Sequence, residues 1–270
     1  MTQDRWRLTA DGPENYEQYQ VPSIFEPLAR IFLEQLALRP GQRILDVACG
    51  TGIVGRLAAP VVGVTGRIVG VDLNAGMLAI ARKNSPSGSA PMEWREGDAL
   101  ALPCADAEFD AVLCQQGLQF FADRPAALRE MHRALAPGGL LAICVWRAIE
   151  HSPCHLAIAA ALARHAGAAV AQRFQAPFGF GDADALRAVL TDAGFSNVEV
   201  RPAVVMRHLL PPEVSIPGLL ASTPVGPAVA ALDAAVREAL VDEVAAALAV
   251  YRNRDGLTVP QATHMALARK

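Results

Sequence analysis

The sequence predicts an α/β protein built on a mostly parallel sheet with helices on both faces. Three observations carry that reading. Apolar runs of strand length recur between residues 43 and 146, helical stretches with caps or amphipathic spacing separate them, and several runs end in or lead to a carboxylate. Strands alternating with helices pack as parallel units with right-handed crossovers, and such sheets bind ligands at the carboxyl ends of their strands. With 270 residues, 52% of them hydrophobic, the chain can build one large domain with an elaboration over it.

Residues 1–14 are polar and read as a loosely held arm. From Tyr16 to Leu36, the apolar Ile24, Leu28, Ile31, Phe32 and Leu36 share a helical face. Pro22 and Pro27 make the early part irregular, and Pro40-Gly41 ends it. Residues 43–47 read as the first strand, Gly50-Thr51-Gly52 as a turn and 53–60 as a helix. Glycines let a ligand press on bare backbone, and the open N–H groups of a helix start face it. Residues 67–72 form a second strand ending in Asp72, and Asn74 caps a helix carrying Met77, Leu78 and Ala81. Met92–Glu96 alternates like a strand and leads to Gly97-Asp98-Ala99. Residues 109–115 are the next strand. Asp123 and Pro125 open a helix that Pro137-Gly138-Gly139 stops, and 140–146 is a further buried strand.

The second half changes character. Ala-rich helix signals cover 153–170, a Phe/Gly-rich loop covers 174–181, and a short helix at 183–192 is stopped by Gly194. Residues 197–208 are β-rich, and 211–227 hold five prolines and few regular signals. Leu232, Val236, Leu240 and Val244 mark an amphipathic helix, and 258–268 is again β-like. Two late strands separated by a helical excursion predict an antiparallel pair on the sheet edge, with 211–253 packed over the ligand face as a lid, an ordinary packing layer being the alternative.

Composition removes several function classes. The formal charge is −3 with no basic run, against a nucleic-acid surface. No apolar stretch reaches the length of a membrane span and Met1 is followed by polar residues, so the expectation is a soluble, cytoplasmic protein with no membrane partner. Its oligomeric state is left open. Five cysteines with no C-x-x-C pair argue against a disulfide framework or structural zinc. His151 and His155 have metal-ligand spacing but no third ligand, so no metal is expected. Gly50-Thr51-Gly52-Ile53-Val54-Gly55 spells G-x-G-x-x-G with Asp72 about twenty residues on, which keeps a nicotinamide oxidoreductase as an alternative. Asp46 counts against it. A carboxylate inside the first strand, where a dinucleotide fold is apolar, suits a ligand with cationic or donor groups.

Taken together, Leu45-Asp46-Val47-Ala48-Cys49-Gly50-Thr51-Gly52, Val71-Asp72 with Met77, Gly97-Asp98-Ala99, Phe109-Asp110-Ala111-Val112 and Arg133–Leu141 resemble, in order and spacing, the motifs of class I S-adenosylmethionine-dependent methyltransferases. The flavour is that of the branch with ubiquinone and menaquinone C-methyltransferases and natural-product enzymes. The resemblance covers about residues 40–147. It implies a Rossmann-like fold with a mostly parallel seven-stranded sheet, an antiparallel C-terminal edge strand and helices on both faces. On this basis 1–40 is an arm over the cofactor, 41–210 with 254–270 the core, and 211–253 a helical lid. Transfer of a methyl group by in-line displacement to a small apolar metabolite is implied, with S-adenosylmethionine as cofactor. A non-catalytic cofactor-binding partner protein is the remaining alternative.

The same resemblance implies the site. Backbone at Ala48, Gly50 and Gly52 lies against the methionine part, which Asp46 helps to hold directly or through water. Asp72 accepts the two ribose hydroxyls, as an acceptor-only carboxylate can. Leu73 and Met77 sandwich adenine, Asp98 and the Ala99 N–H read its edge, and the backbone at Gln115 lies near the methionine amino group. Tyr16 and Tyr19 fold over the sulfonium. Family members often carry Gly at the place of Ala48, so an ordinary backbone conformation is expected there. On the acceptor side, His151 is the candidate general base, with His155 the other histidine of that stretch, and Gln116 is the candidate orienting amide.

Overall fold

The computed structural model describes residue 8 and residues 11–270. Eight strands form one sheet: β1 (Arg43–Val47), β2 (Arg67–Asp72), β3 (Met92–Glu96), β4 (Phe109–Gln115), β5 (Leu135–Trp146), β6 (Ser196–Leu209), β7 (Arg252–Asn253) and β8 (Gly256–Arg269). They run in the order β3-β2-β1-β4-β5-β8-β6, with the two-residue β7 paired to β8. The first five are parallel. β8 runs antiparallel to both β5 and β6. The two late strands therefore pair at the edge as expected, with β8 on the inside of the pair and β6 outermost. Strand order reverses between β1 and β4, and there the crevice of an open α/β sheet forms.

Alternation along the strands explains why helices cover both faces. Ile44, Ile68, Leu113 and Ala142 pack with Leu28, Phe32 and Val54 on one face. Their neighbours Leu45, Val69, Val112 and Leu141 pack with Leu128, Met131 and Leu186 on the other. A third core lies apart from both. It joins the helices Pro153–His165, Ala168–Gln175, Pro212–Ala221 and Ala234–Ala247 through Ile158, Phe174, Leu219 and Leu240, and packs them on Leu209, Leu257 and Val259 at the far end of β6 and β8. The excursion between β6 and β7 thus shares its apolar interior with the two helices that follow β5.

Some elements differ from expectation. The N-terminal helix is π-wound over Tyr16–Phe25, with Pro22 inside it, before an α-helix at Glu26–Glu34. The loosely held segment expected over 1–14 lies largely outside the described residues; Gly12–Asn15 is helical. The helix expected over 153–170 is two helices, divided at Gly167, whose φ of +94° a side chain rarely adopts. The proline-rich 211–227 is helical over Pro212–Ala221 and Gly226–Ala230: Pro212 and Pro227 stand in first turns, where no intrahelical N–H bond is lost, while Pro217 lies inside the first helix, which forgoes one such bond there.

One feature of register shapes the site. Trp146, the last residue of β5, pairs with Thr263, which pairs with Ala203. From there Val204–Leu209 pair with Leu257–Ala262 alone, so β6 and β8 rise past the end of the sheet as a two-stranded ribbon.

Candidate active site

The turn after β1 is held by the carboxylate that ends β2. Asp72 Oδ2 accepts the Gly50 N–H at 2.8 Å, and Oδ1 accepts the Asn74 N–H at 2.8 Å. Asn74 in turn caps the next helix at the Gly76 N–H. Burial raises the Asp72 pKa, with the Asn74, Gly50 and Leu73 N–H groups opposing it. Each oxygen has a single hydrogen bond to these backbone groups at this distance and more than one acceptor position, so Asp72 can still take donors from a ligand.

Ala48 has φ +56° and Gln116 has φ +57°. The ordinary conformation expected for Ala48 is corrected. Alanine occupies the left-handed region, which costs it roughly 1–2 kcal/mol, and a glycine would hold the position without strain. These two strained residues end β1 and β4, the strands that flank the switch point, and both line one cavity.

That cavity, of about 260 Å³, opens at the carboxyl ends of the strands. Ala48, Gly50, Asp72, Leu73, Met77, Asp98 and Ala99 line one part. Asp98 Oδ1 accepts the Leu100 N–H at 2.9 Å, which fixes the loop after β3. Gln115 and Tyr16 also line it. Gln115 Nε2 donates to the Phe25 carbonyl at 3.3 Å, leaving a buried Oε1 without a hydrogen bond. Tyr16 stacks on Phe25, its hydroxyl held protonated by burial and by Asp72. The other part is aromatic, with Phe25, Phe120, Trp146, Phe174 and Phe178 around Gln116, His155 and Arg207. The loop Ser222-Thr223-Pro224, between two helices of the excursion, closes over it.

Four expected residues do not line the cavity. Asp46 is buried beneath the turn, where its Oδ2 accepts the Gly55 N–H at 3.3 Å. Burial, partly offset by that bond and reinforced by Asp72, pushes its pKa up to about 8. Asp46 therefore faces the helix start behind the turn. Gly52 does not line the cavity: a Cβ on it would lie 2.5 Å from the Trp94 ring, and one on Gly55 3.2 Å from it. Two of the three glycines in the G-x-G-x-x-G spelling thus make room for an indole. Tyr19 packs its ring on Gly218 of the excursion instead of facing the cavity. His151 is exposed in a single turn after β5. The cavity histidine is His155, one helical turn on, sandwiched against Phe174 and Phe178 at 5.5 and 4.9 Å. Its Nδ1 is buried without a hydrogen bond. Burial, then the nearby Arg207, holds its pKa well below that of a free imidazole.

Gln116 lines the cavity as expected, but its amide is committed. Nε2 donates to Thr263 Oγ1 at 3.0 Å, and Oε1 accepts from Gln119 Nε2 at 2.9 Å. It is a fixed part of the wall. Arg207 was not singled out by sequence reasoning. Its signal lay in β6, where Val205, Arg207 and Leu209 share the inward register and all three are buried. The Ser222–Pro224 contribution has no signal at its own positions. Among the described residues no cluster of His, Cys, Asp and Glu could hold a metal ion, and no helix is long and apolar enough to cross a membrane.

Comparison with known proteins places these residues in context. Residues 45–143 match a family described as methyltransferase domain. The 2-phytyl-1,4-naphtoquinone methyltransferase of Synechocystis sp. is 46% identical over 106 residues, covering 38% of this chain and 44% of that protein. The demethylmenaquinone methyltransferase of Staphylococcus saprophyticus is 31% identical over 180 residues, covering 63% of this chain and 76% of that protein. The chain spans about half the length of the first of the curated relatives it matches. Among solved structures, the YcgJ protein from Bacillus subtilis superposes with a TM-score of 0.59 at 15% identity, over 90% of this chain and 97% of the other. A Haemonchus contortus phosphoethanolamine N-methyltransferase 2, solved with S-adenosyl-L-methionine, gives 0.56 at 19% identity, over 90% and 52%. At these identities the structural likeness speaks to the fold.

Proposed function

The chain belongs to the S-adenosylmethionine-dependent methyltransferases, and from that premise we propose that it binds this cofactor and transfers its methyl group to a small, largely apolar aromatic molecule. The observation that carries the reading is Asp72. It is a cavity-lining carboxylate at the end of β2, pinned by the Gly50 and Asn74 N–H groups, with acceptor positions left for a pair of adjacent hydroxyls.

The other residues fit the cofactor's remaining groups. Gln115 Oε1, buried and unpaired, suits an ammonium donor. Leu73 and Met77 offer an apolar slot beside Asp98 and Ala99 for a purine. The bare backbone of Gly50, with the Tyr16 ring 4.0 Å from where its Cβ would stand, leaves a narrow cradle between turn and arm. When bound, S-adenosylmethionine supplies a methyl group already activated by its sulfonium. What remains for the chain is to position the acceptor, exclude water and take a proton where the acceptor carries one. The rings of Phe25, Trp146 and Phe178 support an aromatic acceptor body, and Ser222–Pro224 cover it. His155, neutral because of its burial, has an open Nδ1 that can accept the proton. The matched domain ends at residue 143, ahead of His155, Arg207 and the excursion. The 2-phytyl-1,4-naphthoquinone and demethylmenaquinone in the relatives' names therefore suggest an aromatic ring here without fixing its substituents.

The test is calorimetric titration with S-adenosylmethionine and S-adenosylhomocysteine. Saturable binding is expected, weakened roughly 30-fold or more in Asp72→Ala, in line with loss of charged hydrogen bonds. Absence of binding to a folded wild-type chain overturns the proposal. A labelled-methyl transfer screen against metabolite extracts then identifies the acceptor.

A further inference from the structure

Arg207 is 1% exposed, yet among the described residues no carboxylate pairs with it. Its partners are all neutral. Nε donates to Gln261 Oε1 at 3.1 Å, and Nη1 donates to Gln20 Oε1 at 3.2 Å and Ser23 Oγ at 3.3 Å. Arginine keeps its proton in proteins, so this is a buried cation. Turning the Gln261 oxygen toward it leaves Gln261 Nε2 buried without a hydrogen bond. A buried charge without a counter-ion is costly, and chains keep one where something supplies the opposite charge.

The counter-charge has a place to come from, because Arg207 lines the cavity beside His155 and the aromatic wall. Its position is set by the ribbon. It lies on β6, three strand steps from β4, a lateral distance of about 14 Å at ~4.8 Å per step. It also stands four residues beyond the level where β5 ends. It lies in the aromatic part of the cavity, five strand steps from Asp72 on β2, with Tyr16 near enough to feel both charges.

We propose that Arg207 is an anion-binding residue for the methyl acceptor, so that the acceptor is an aromatic molecule carrying an oxyanion such as a carboxylate. The guanidinium fork matches the two oxygens of that group. The distance from β4 makes the anion a handle at the end of the molecule remote from the atom that receives the methyl group. This assignment rests on the methyltransferase reading above.

Two probes of equal shape test it: 2-naphthoate and its neutral isostere 2-naphthamide, titrated into the full chain with and without S-adenosylhomocysteine. The wild type is expected to bind the naphthoate about tenfold to a hundredfold more tightly than the amide. Arg207→Met should erase that preference while S-adenosylhomocysteine affinity stays within about threefold, and Arg207→Lys should keep part of it. Equal affinity of the wild type for the two probes overturns the proposal. So does an Arg207→Met chain that keeps the preference but loses S-adenosylhomocysteine, an outcome that assigns the arginine to the cofactor's own carboxylate. A wild type that discriminates the probes but binds no S-adenosylhomocysteine sinks the methyltransferase reading and leaves the anion site standing. Thermal melting of each variant reports folding, and the wild-type comparison decides the matter even where Arg207→Met fails to fold.

Discussion

At Asp46 a carboxyl group is buried under the cofactor turn with one backbone donor 3.3 Å away. An unfolded Asp titrates near 4, about four units lower, whereas here burial pushes the pKa up to about 8. The folded chain therefore holds a proton that the unfolded chain has released, and the stability that proton brings is complete below about pH 4 and lost as the pH rises through about 8. Asp46→Asn keeps an acceptor for the Gly55 N–H and carries no charge. It is expected to raise unfolding free energy at pH 8 by about 1–3 kcal/mol and to flatten the decline between pH 5 and 8, as urea unfolding at several pH values will show. His155, depressed in the folded state, acts on the other flank. Its stability contribution is present above the unfolded histidine value and falls away as the pH drops below it, so the variant-minus-wild-type difference isolates Asp46. Several residues that line the cavity, Ala48, Gly50 and Asp72 among them, were legible because each sits at or just past a strand end, where sequence period and turn chemistry fix its place. The direction in which each points was not. Asp46 and Asp72 are both strand-end carboxylates, and only the packed structure turns one toward the helix start and the other into the cavity.

Among the elements, β3 explains the glycines better than any ligand does. Its Trp94 indole lies where the side chains of Gly52, Gly55 and Gly70 would be, and its Nε1 donates to Ser85 Oγ at 2.9 Å. Turn, helix and two strands are keyed together by one ring. Gly52→Ala would bring a methyl group 2.5 Å from that ring at a φ of +82°, at a cost of about 2–5 kcal/mol from overpacking and left-handed strain. The expected result is a lowered urea midpoint with altered tryptophan emission, while Gly88→Ala, at a φ of +75° with nothing within 4 Å of its Cβ position, serves as a control for positive φ without overpacking. The strands from β1 to β5 and the Asn74 and Asp123 caps were readable from alternation and capping chemistry. The helices of 211–230 were not, because prolines read as breakers when their place in a first turn cannot be known in advance.

Over the whole molecule, a chain of hydrogen bonds joins the arm, the sheet edge and the excursion. Arg207 donates to Gln20 Oε1, Gln20 Nε2 donates to Ser222 Oγ at 2.8 Å, and Ser222 Oγ donates to the Leu219 carbonyl. The loop Ser222–Pro224, which lines the aromatic part of the cavity, is thus tied to Arg207. Gln20→Ala cuts the chain at its middle. Amide exchange at Ser222–Ala231 is expected to quicken about tenfold, as loss of one buried hydrogen-bond relay implies, while exchange in β1, β2 and β4 stays unchanged; mass-spectrometric mapping reads both. A helical excursion between two late β stretches was legible from the helical signals within 211–253. Its attachment was not, because Gln20, Arg207 and Ser222 are far apart in sequence and no local pattern pairs them.

The place of β8 inside the sheet bears on how the chain is made. Among the described residues β6 pairs with β8 alone, and 46 residues, 210–255, separate the end of the one from the start of the other. At ~5–20 residues per second of synthesis, the ribosome spends roughly 2–9 seconds on that interval. Throughout it β5 and the newly made β6 present unpaired backbone, and Arg207 has no Gln261 to meet. A nascent chain at this stage is a target for holding chaperones, and slow codons within 210–255 would lengthen its exposure.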